Sequence, residues 1–250
     1  MKADERPDAP LFSIIVATYN AAATLPAALD SVIDQDRADT ELIVIDGASR
    51  DDTKEIIAAR AGSIAFWCSE PDTGIYNAWN KGLRASRGRY IGFLGADDQL
   101  LPGSLAQYAA LVAAHPHAEY LSARVRYGPG GRIIGKRWDW RRFRRYMTVA
   151  HLCSMHRRSL FDRIGPYDES FRIVGDYELL LRAGPTLAAA FSPAITAEMG
   201  TEGISSGATG RVFAETARAK RMHSGLSPMT IRFDELTARA KHRVRRLLKL

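Results

Sequence analysis

Two adjacent carboxylates, Asp97 and Asp98, follow the apolar run at 90–94 and the turn Gly95-Ala96. At neutral pH such neighbours repel each other, and a divalent cation held by them removes the conflict. Carboxylate oxygens suit Mg2+ or Mn2+, which can bridge a diphosphate and neutralise charge developing on a leaving group. A structural role competes, because Asp98 stands four residues ahead of Pro102, where turn and cap aspartates are common. Asp46 closes the run ELIVI at 41–45, and Gly47 behind it permits a tight turn. Ser49 and Asp51 can cap the next helix, which accounts for 49–53 but not for Asp46. A carboxylate placed like Asp46 can accept an N–H from a nucleobase or a sugar hydroxyl. Thr18, Tyr19 and Asn20 follow the first apolar run, and Asp72 follows the third, as a ligand or as the N-cap of a helix from Ile75.

These residues need a frame that brings them to one edge, and the apolar pattern supplies it. Short β-rich runs at 12–17, 41–45, 64–68 and 90–94 alternate with helical runs. The helices expected are one through Leu25, Leu29 and Val32, then 51–60, 75–85 and 102–114. Such alternation implies a parallel sheet covered on both faces, and ligands bind beyond the carboxyl ends of its strands. The second half is less regular, with strands expected at 119–127, 132–135 and 189–196, a turn at 128–131, and helices at 158–164 and 177–182. An antiparallel or mixed continuation of the sheet fits it.

The chain has 250 residues, 46% of them hydrophobic and 25% charged, enough for a full core in one α/β domain with a tail. Cys68 and Cys153 match no metal spacing and are too few for a disulfide framework, which fits a reducing compartment. No secretory signal opens the chain, and no apolar stretch is long enough to span a membrane, so a cytoplasmic protein is expected. GxGxxG after the first strand, GxxxxGK[ST] and GxSxG are missing, which disfavours dinucleotide oxidoreductases, P-loop enzymes and α/β-hydrolases.

Taken together, SIIVATYN (13–20), ELIVIDGASRDDT (41–53), EPDTGIYNAWNKG (70–82), GRYIGFLGADD (88–98) and HRRSLFDRIGPYDESFRIVGDYELLLR (156–182) resemble the inverting family 2 glycosyltransferases of GT-A fold. The likeness runs over roughly 11–205, five short motifs in order. It implies a nucleotide-sugar donor, with Thr18, Asn20, Asp46 and Asp72 lining the nucleotide site. It puts Asp98 on the metal, Asp97 toward the donor's ribose or sugar, and makes Asp176 the general base. One carboxylate suffices for that role, since the acceptor hydroxyl must lose its proton as it attacks the anomeric carbon. A single displacement inverts that centre. Asp176 can also cap the helix that follows it. Asn77 stands where the motif often has Asp, and Glu202 replaces the first Gly of a Gly-Gly-x-Ser loop at 202–205. His151 lies where relatives place a polar residue near the acceptor, and a structural histidine fits as well.

Two other functions fit parts of the pattern. A nucleotidyltransferase also needs carboxylates and a metal at strand ends, but ATYNAAATL has no Lys or Arg for a triphosphate. A non-catalytic scaffold of the same fold would be expected to lose Asp97, Asp98 or Asp176, and all three are present. Residues 1–10 are expected to form an extension and 11–210 the GT-A domain. Residues 211–250 form a helical tail with 11 Lys and Arg against 3 Asp and Glu, within a chain of net charge +7. On a helix, Phe233, Leu236, Ala240, Val244, Leu247 and Leu248 share one face, with Arg239, Lys241, Arg243, Arg245, Arg246 and Lys249 around it. That is the pattern of a helix lying on an anionic membrane, with Trp138, Trp140 and Phe143 of the basic stretch 136–145 as a second contact. Docking of the stripe on the body or on a second subunit is the alternative. The acceptor is expected to be a saccharide or lipid-linked molecule, the place the inner face of the cell membrane, and nucleic acid is not an expected partner.

Overall fold

The computed structural model describes residues 9–128, 130–200 and 209–247. Most of the expected N-terminal extension, Pro129 of the 128–131 turn, the 202–205 loop, Leu248 and Lys249 lie outside these residues.

The apolar runs become the parallel half of a nine-stranded sheet. Strands β1 (Phe12–Thr18), β2 (Thr40–Asp46), β3 (Phe66–Ser69) and β4 (Tyr90–Gly95) lie in the order β3-β2-β1-β4. All of their mutual pairings are parallel. The alternating side chains of β1 show why its run is continuously apolar. Phe12, Ile14 and Val16 enter one core, while Ile15 and Ala17 enter another on the opposite face. Helices α1 (Leu25–Ile33), α2 (Thr53–Ala58) and α4 (Ser104–Ala114) cover the first face. Helices α3 (Ile75–Ala85), α6 (Arg158–Ile164) and α7 (Gly175–Ala183) cover the second.

Three short elements escape the pattern. Strand β5 (Gln99–Leu100) follows Asp98 directly, helix α5 (Trp140–Phe143) is capped by the Asp139 carboxylate, and strand β8 (Met155–Arg157) sits between β4 and β6 (Tyr120–Tyr127). Two to four residues are too few to display a period. Strand β8 turns the sheet antiparallel on both sides of itself, while β9 (Ala189–Met199) runs parallel to β6 and antiparallel to β5. Strand β7 (Ile133–Ile134) pairs antiparallel with Val125 and Arg126 of β6, beyond the residues that β8 pairs with. The mixed second half is as expected.

The tail is two helices. Helix α8 (Thr209–His223) packs on α7, and α9 (Pro228–Leu247) packs on α8. Gly225, in a left-handed conformation, and Pro228 mark the break between them. Ala217, Ala219, Lys220, Ile231 and Asp234 are buried by this docking. No helix among the described residues is long and apolar enough to cross a membrane.

Candidate active site

Pairing of the strands brings the candidate residues to one edge. Thr18 lies opposite Asp46, Ala17 opposite Gly95, and Asp46 opposite Ser69. The loops carrying Thr18–Asn20, Asp46–Thr53, Glu70–Gly74 and Gly95–Asp98 therefore leave the same carboxyl edge of the sheet.

The first two loops are zipped together. The backbone N–H of Asn20 donates to Ser49 Oγ (2.7 Å), that of Ala21 to Thr53 Oγ1 (3.0 Å), and that of Ala22 to the Asp51 carboxylate (3.0 Å). Arg50 N–H returns the bond to Asn20 Oδ1 at 2.8 Å. Ser49 thus ties loop to loop, while Asp51 does this and also caps: its other oxygen accepts the N–H (3.2 Å) and the hydroxyl (2.6 Å) of Thr53, the first residue of α2, whose N-cap residue Asp52 makes no side-chain cap bond. Helix α2 runs from Thr53 to Ala58, shorter at both ends than the 51–60 expected. Asn20 and Ala48 both sit in the left-handed backbone region, a strain the zipper holds in place.

Asp46 is fully buried, and its carboxylate accepts from Ser49 N–H, Ser49 Oγ and Ser69 Oγ. It braces the turn from behind and presents no surface of its own. Asp72 accepts the N–H of Gly74 (2.8 Å), and Gly74, not Asp72, is the N-cap of α3. Its other oxygen lies so close to Gly47 that a Cβ there would come within 2.6 Å of it. Thr18 is buried, and its hydroxyl has no hydrogen-bond partner among the described residues.

Asp98 is buried and accepts the N–H groups of Gly95 (3.1 Å) and Gly200 (2.9 Å). Burial and the neighbouring Asp97 charge push its carboxyl up to about 6, the repulsion expected of the pair. Asp97 is half-buried and lies against Gly200, where a Cβ would meet its Oδ2 at 2.3 Å. Among the described residues no three His, Cys, Asp or Glu side chains gather as a metal cage. The side chains at this turn that could hold a cation are those of Asp97 and Asp98.

Asp176 lies on the first turn of α7, beside Tyr76 at the start of α3, the helix that follows the loop Glu70–Gly74. Its Oδ1 accepts the N–H of Tyr177 (2.8 Å), and burial pushes its carboxyl up to about 6. Two side chains without a chemical signature in the sequence position it. The Tyr76 hydroxyl oxygen accepts the N–H groups of Gly175 (2.8 Å) and Asp176 (3.4 Å). Glu169 accepts from Asn77 Nδ2 (2.7 Å) and Asn80 Nδ2 (2.8 Å), which explains Asn77: an Asp there would face Glu169 with like charge. His151 is a buried structural residue. Its Nε2 shares a 3.0 Å hydrogen bond with Tyr167, its ring stacks on Trp79, and burial and His156 hold its pKa well below the usual value.

The tail and the basic stretch meet at Asp234. Its carboxylate accepts from Arg145, from Lys220 Nζ (3.2 Å) and from the Tyr146 hydroxyl (3.3 Å). Phe143 is fully buried and packs on Trp138 at 4.5 Å, while Trp138 and Trp140 pack on the same core and stay half-buried. The opposite face of α9 stays open: Met229 is 83%, Phe233 63%, Leu236 58% and Val244 53% exposed.

Comparison with known proteins agrees with this architecture. The family model described as "Glycosyl transferase family 2" matches residues 13–165. A PGL/p-HBAD biosynthesis glycosyltransferase of Mycobacterium bovis is 35% identical over 178 residues, 70% of either chain. An uncharacterised glycosyltransferase of Mycobacterium tuberculosis is 32% identical over 79% of this chain and 78% of its own. Among solved structures, S. aureus TarS 1-349 in complex with UDP-GlcNAc superposes with a TM-score of 0.69 at 18% identity, over 88% of this chain and 69% of that one. The mannosyltransferase PcManGT of Pyrobaculum calidifontis, in complex with GDP-Man and Mn2+, does so with 0.67 at 20% identity, over 91% and 68%.

Proposed function

The chain belongs to the glycosyl transferase family 2 and is a glycosyltransferase of GT-A fold, and from this premise we propose an inverting, metal-dependent transfer of a sugar from a nucleoside diphosphate donor to an acceptor hydroxyl. The observation that carries the proposal is the convergence, at the carboxyl edge of β1, β2 and β4, of a buried hydroxyl unpartnered among the described residues and two carboxylates that repel each other. Thr18 Oγ1, Asn20 and Asp72 face the nucleotide, with Asp46 bracing their loops. An unpaired buried hydroxyl costs about 1–3 kcal/mol, which a donor oxygen or N–H would relieve.

Asp98, with Asp97 beside it, would hold Mg2+ or Mn2+. The donor set fits: two hard oxygen ligands suffice where the substrate's phosphates supply others, and a dication relieves the repulsion within the pair. The ion supplies charge neutralisation at the departing diphosphate. Asp97 faces the donor's ribose or sugar. Asp176 takes the proton from the acceptor hydroxyl as its oxygen attacks the anomeric carbon, and one such displacement inverts that centre. A hydrolysis screen of nucleotide sugars with Mg2+ or Mn2+ tests this, since the proposal requires release of nucleoside diphosphate from at least one of them, abolished by EDTA.

The enzyme works on a saccharide or lipid-linked acceptor at an anionic lipid surface, in cell-surface polysaccharide or glycolipid synthesis. Supporting this location, Met229, Phe233, Leu236 and Val244 form an exposed stripe on α9, rimmed by exposed Arg232, Lys241 and Arg243. The stripe suits acyl chains and the rim suits anionic headgroups. A second copy of α9 laid on the first would set its like-charged rim against itself.

A further inference from the structure

The loop that delivers Asp176 is held from two sides, and one of them is the C-terminal tail. On the side of α3, Glu169 bonds Asn77 and Asn80, and Tyr76 takes the N–H groups of Gly175 and Asp176. On the side of α8, the half-buried Glu215 carboxylate accepts three successive backbone donors: Arg172 (3.1 Å), Ile173 (2.9 Å) and Val174 (3.0 Å). One helical turn on, Arg218 donates to Ser170 Oγ (2.6 Å) and lies 4.3 Å from the centre of the Phe171 ring.

Five consecutive N–H groups, from 172 to 176, are thereby consumed by two side chains. Freed of its partners, this stretch would have three peptide planes able to rotate immediately ahead of the base. A carboxylate is also the favoured group at this point, because it faces the positive end of the α7 dipole. Both α7 and α8 lie beyond the residues matched by the family model.

We propose that Glu215 is a positioning residue for the catalytic base: by binding the N–H groups of 172–174 it fixes the direction in which Asp176 meets the acceptor hydroxyl. The tail is then part of the catalytic apparatus as well as a means of location. This rests on Asp176 being the base, and the test separates the two.

The experiment compares Glu215→Ala, Glu215→Gln, Asp176→Asn and the double variant Glu215→Ala/Asp176→Asn in the full-length chain. Because displacement of a reacting group by about 1 Å can cost 10²-fold, Glu215→Ala is expected to lower kcat by at least about 10-fold. Affinity for the nucleoside diphosphate in Mn2+ should stay close to wild type, while the melting temperature falls by a few degrees as three backbone donors lose their acceptor. Glu215→Gln keeps a carbonyl acceptor and should recover most of the rate. In the Asp176→Asn background, Glu215→Ala should have little further effect, as expected for two residues acting as a unit. Wild-type kcat in Glu215→Ala, while Asp176→Asn is impaired, overturns this inference and leaves the base assigned. Loss of donor affinity together with kcat, without rescue by Gln, also overturns it. Wild-type kcat in Asp176→Asn would overturn both.

Discussion

The hydroxyl oxygen of Tyr76 accepts the N–H of Gly175 at 2.8 Å, and the two residues are packed so closely that a Cβ on Gly175 would lie 2.7 Å from the Tyr76 ring. The bond joins the helix after the third strand to the first turn of the helix bearing Asp176. Gly175→Ala must push that turn off the ring, so kcat should fall by about 10²-fold while nucleotide affinity changes little. Tyr76→Phe keeps the ring and removes the acceptor, which should cost about 1–3 kcal/mol in chemical denaturation. A Tyr76→Phe enzyme with unchanged stability and rate would show the bond to be incidental.

Asp176 sets the pH dependence. Its carboxyl is pushed up to about 6 by burial, and only the deprotonated form can act as base. The rate should rise with pH and level off above about 6. Asp176→Asn should lower kcat by ~10²-fold or more and remove this limb from what activity remains. The same shift acts on folding with a definite sign. The folded chain holds this proton more tightly than the unfolded one, so Asp176 favours folding at low pH. That contribution is lost as pH rises from the usual carboxylate value of 3.8 through about 6. At pH 7 the Asn variant should therefore melt no lower than wild type.

Removal of the metal ligand has its own signature. Asp98→Ala should abolish transfer and most of the Mn2+-dependent part of nucleoside diphosphate binding, measured by titration calorimetry with and without EDTA. Full activity of the variant, or of the wild type in excess EDTA, excludes the metal role. Because Asp98 also holds the N–H groups of Gly95 and Gly200, circular dichroism should accompany the titration.

For the tail, substitution is more informative than truncation. Deleting 232–250 removes Asp234 and leaves Lys220, nearly buried, without its 3.2 Å partner. Replacing Phe233, Leu236 and Val244 by Ser leaves that cluster intact. The triple variant should lose co-sedimentation with vesicles containing anionic lipid while keeping transfer to a soluble acceptor. Wild-type binding should weaken with salt. Binding that ignores salt and lipid charge, or that survives the triple substitution, would falsify the membrane proposal.

The parallel half of the fold was legible in the sequence because its signals are local. Strands buried on both faces read as continuous apolar runs, as in FSIIVA and ELIVI, and the helix over Ile75–Ala85 was expected with the same bounds. Strand ends pointed to Asp46, Asp72 and the Asp97–Asp98 pair, since ligands gather at that edge of such sheets. What each carboxylate does there was decided by contacts distant in sequence. Asp46 is spent on Ser49 and on Ser69, 23 residues away. Asn77 answers Glu169, 92 residues away, and the approach to Asp176 is held by Tyr76 and Glu215, about 100 residues before it and about 40 after. Ser49, Tyr76 and Glu169 stand inside the quoted motifs and Ser69 and Glu215 outside them, but none has a residue type that announces its role, because accepting a hydrogen bond asks only for an oxygen in the right place. The tail shows the same division. Its period foretold an apolar stripe with a basic surround, but which face would be covered depended on Asp234 finding Arg145 and Lys220. A buried carboxylate needs such cations to offset its lost hydration. That requirement turned one face of the helix inward and left Phe233, Leu236 and Val244 in the open.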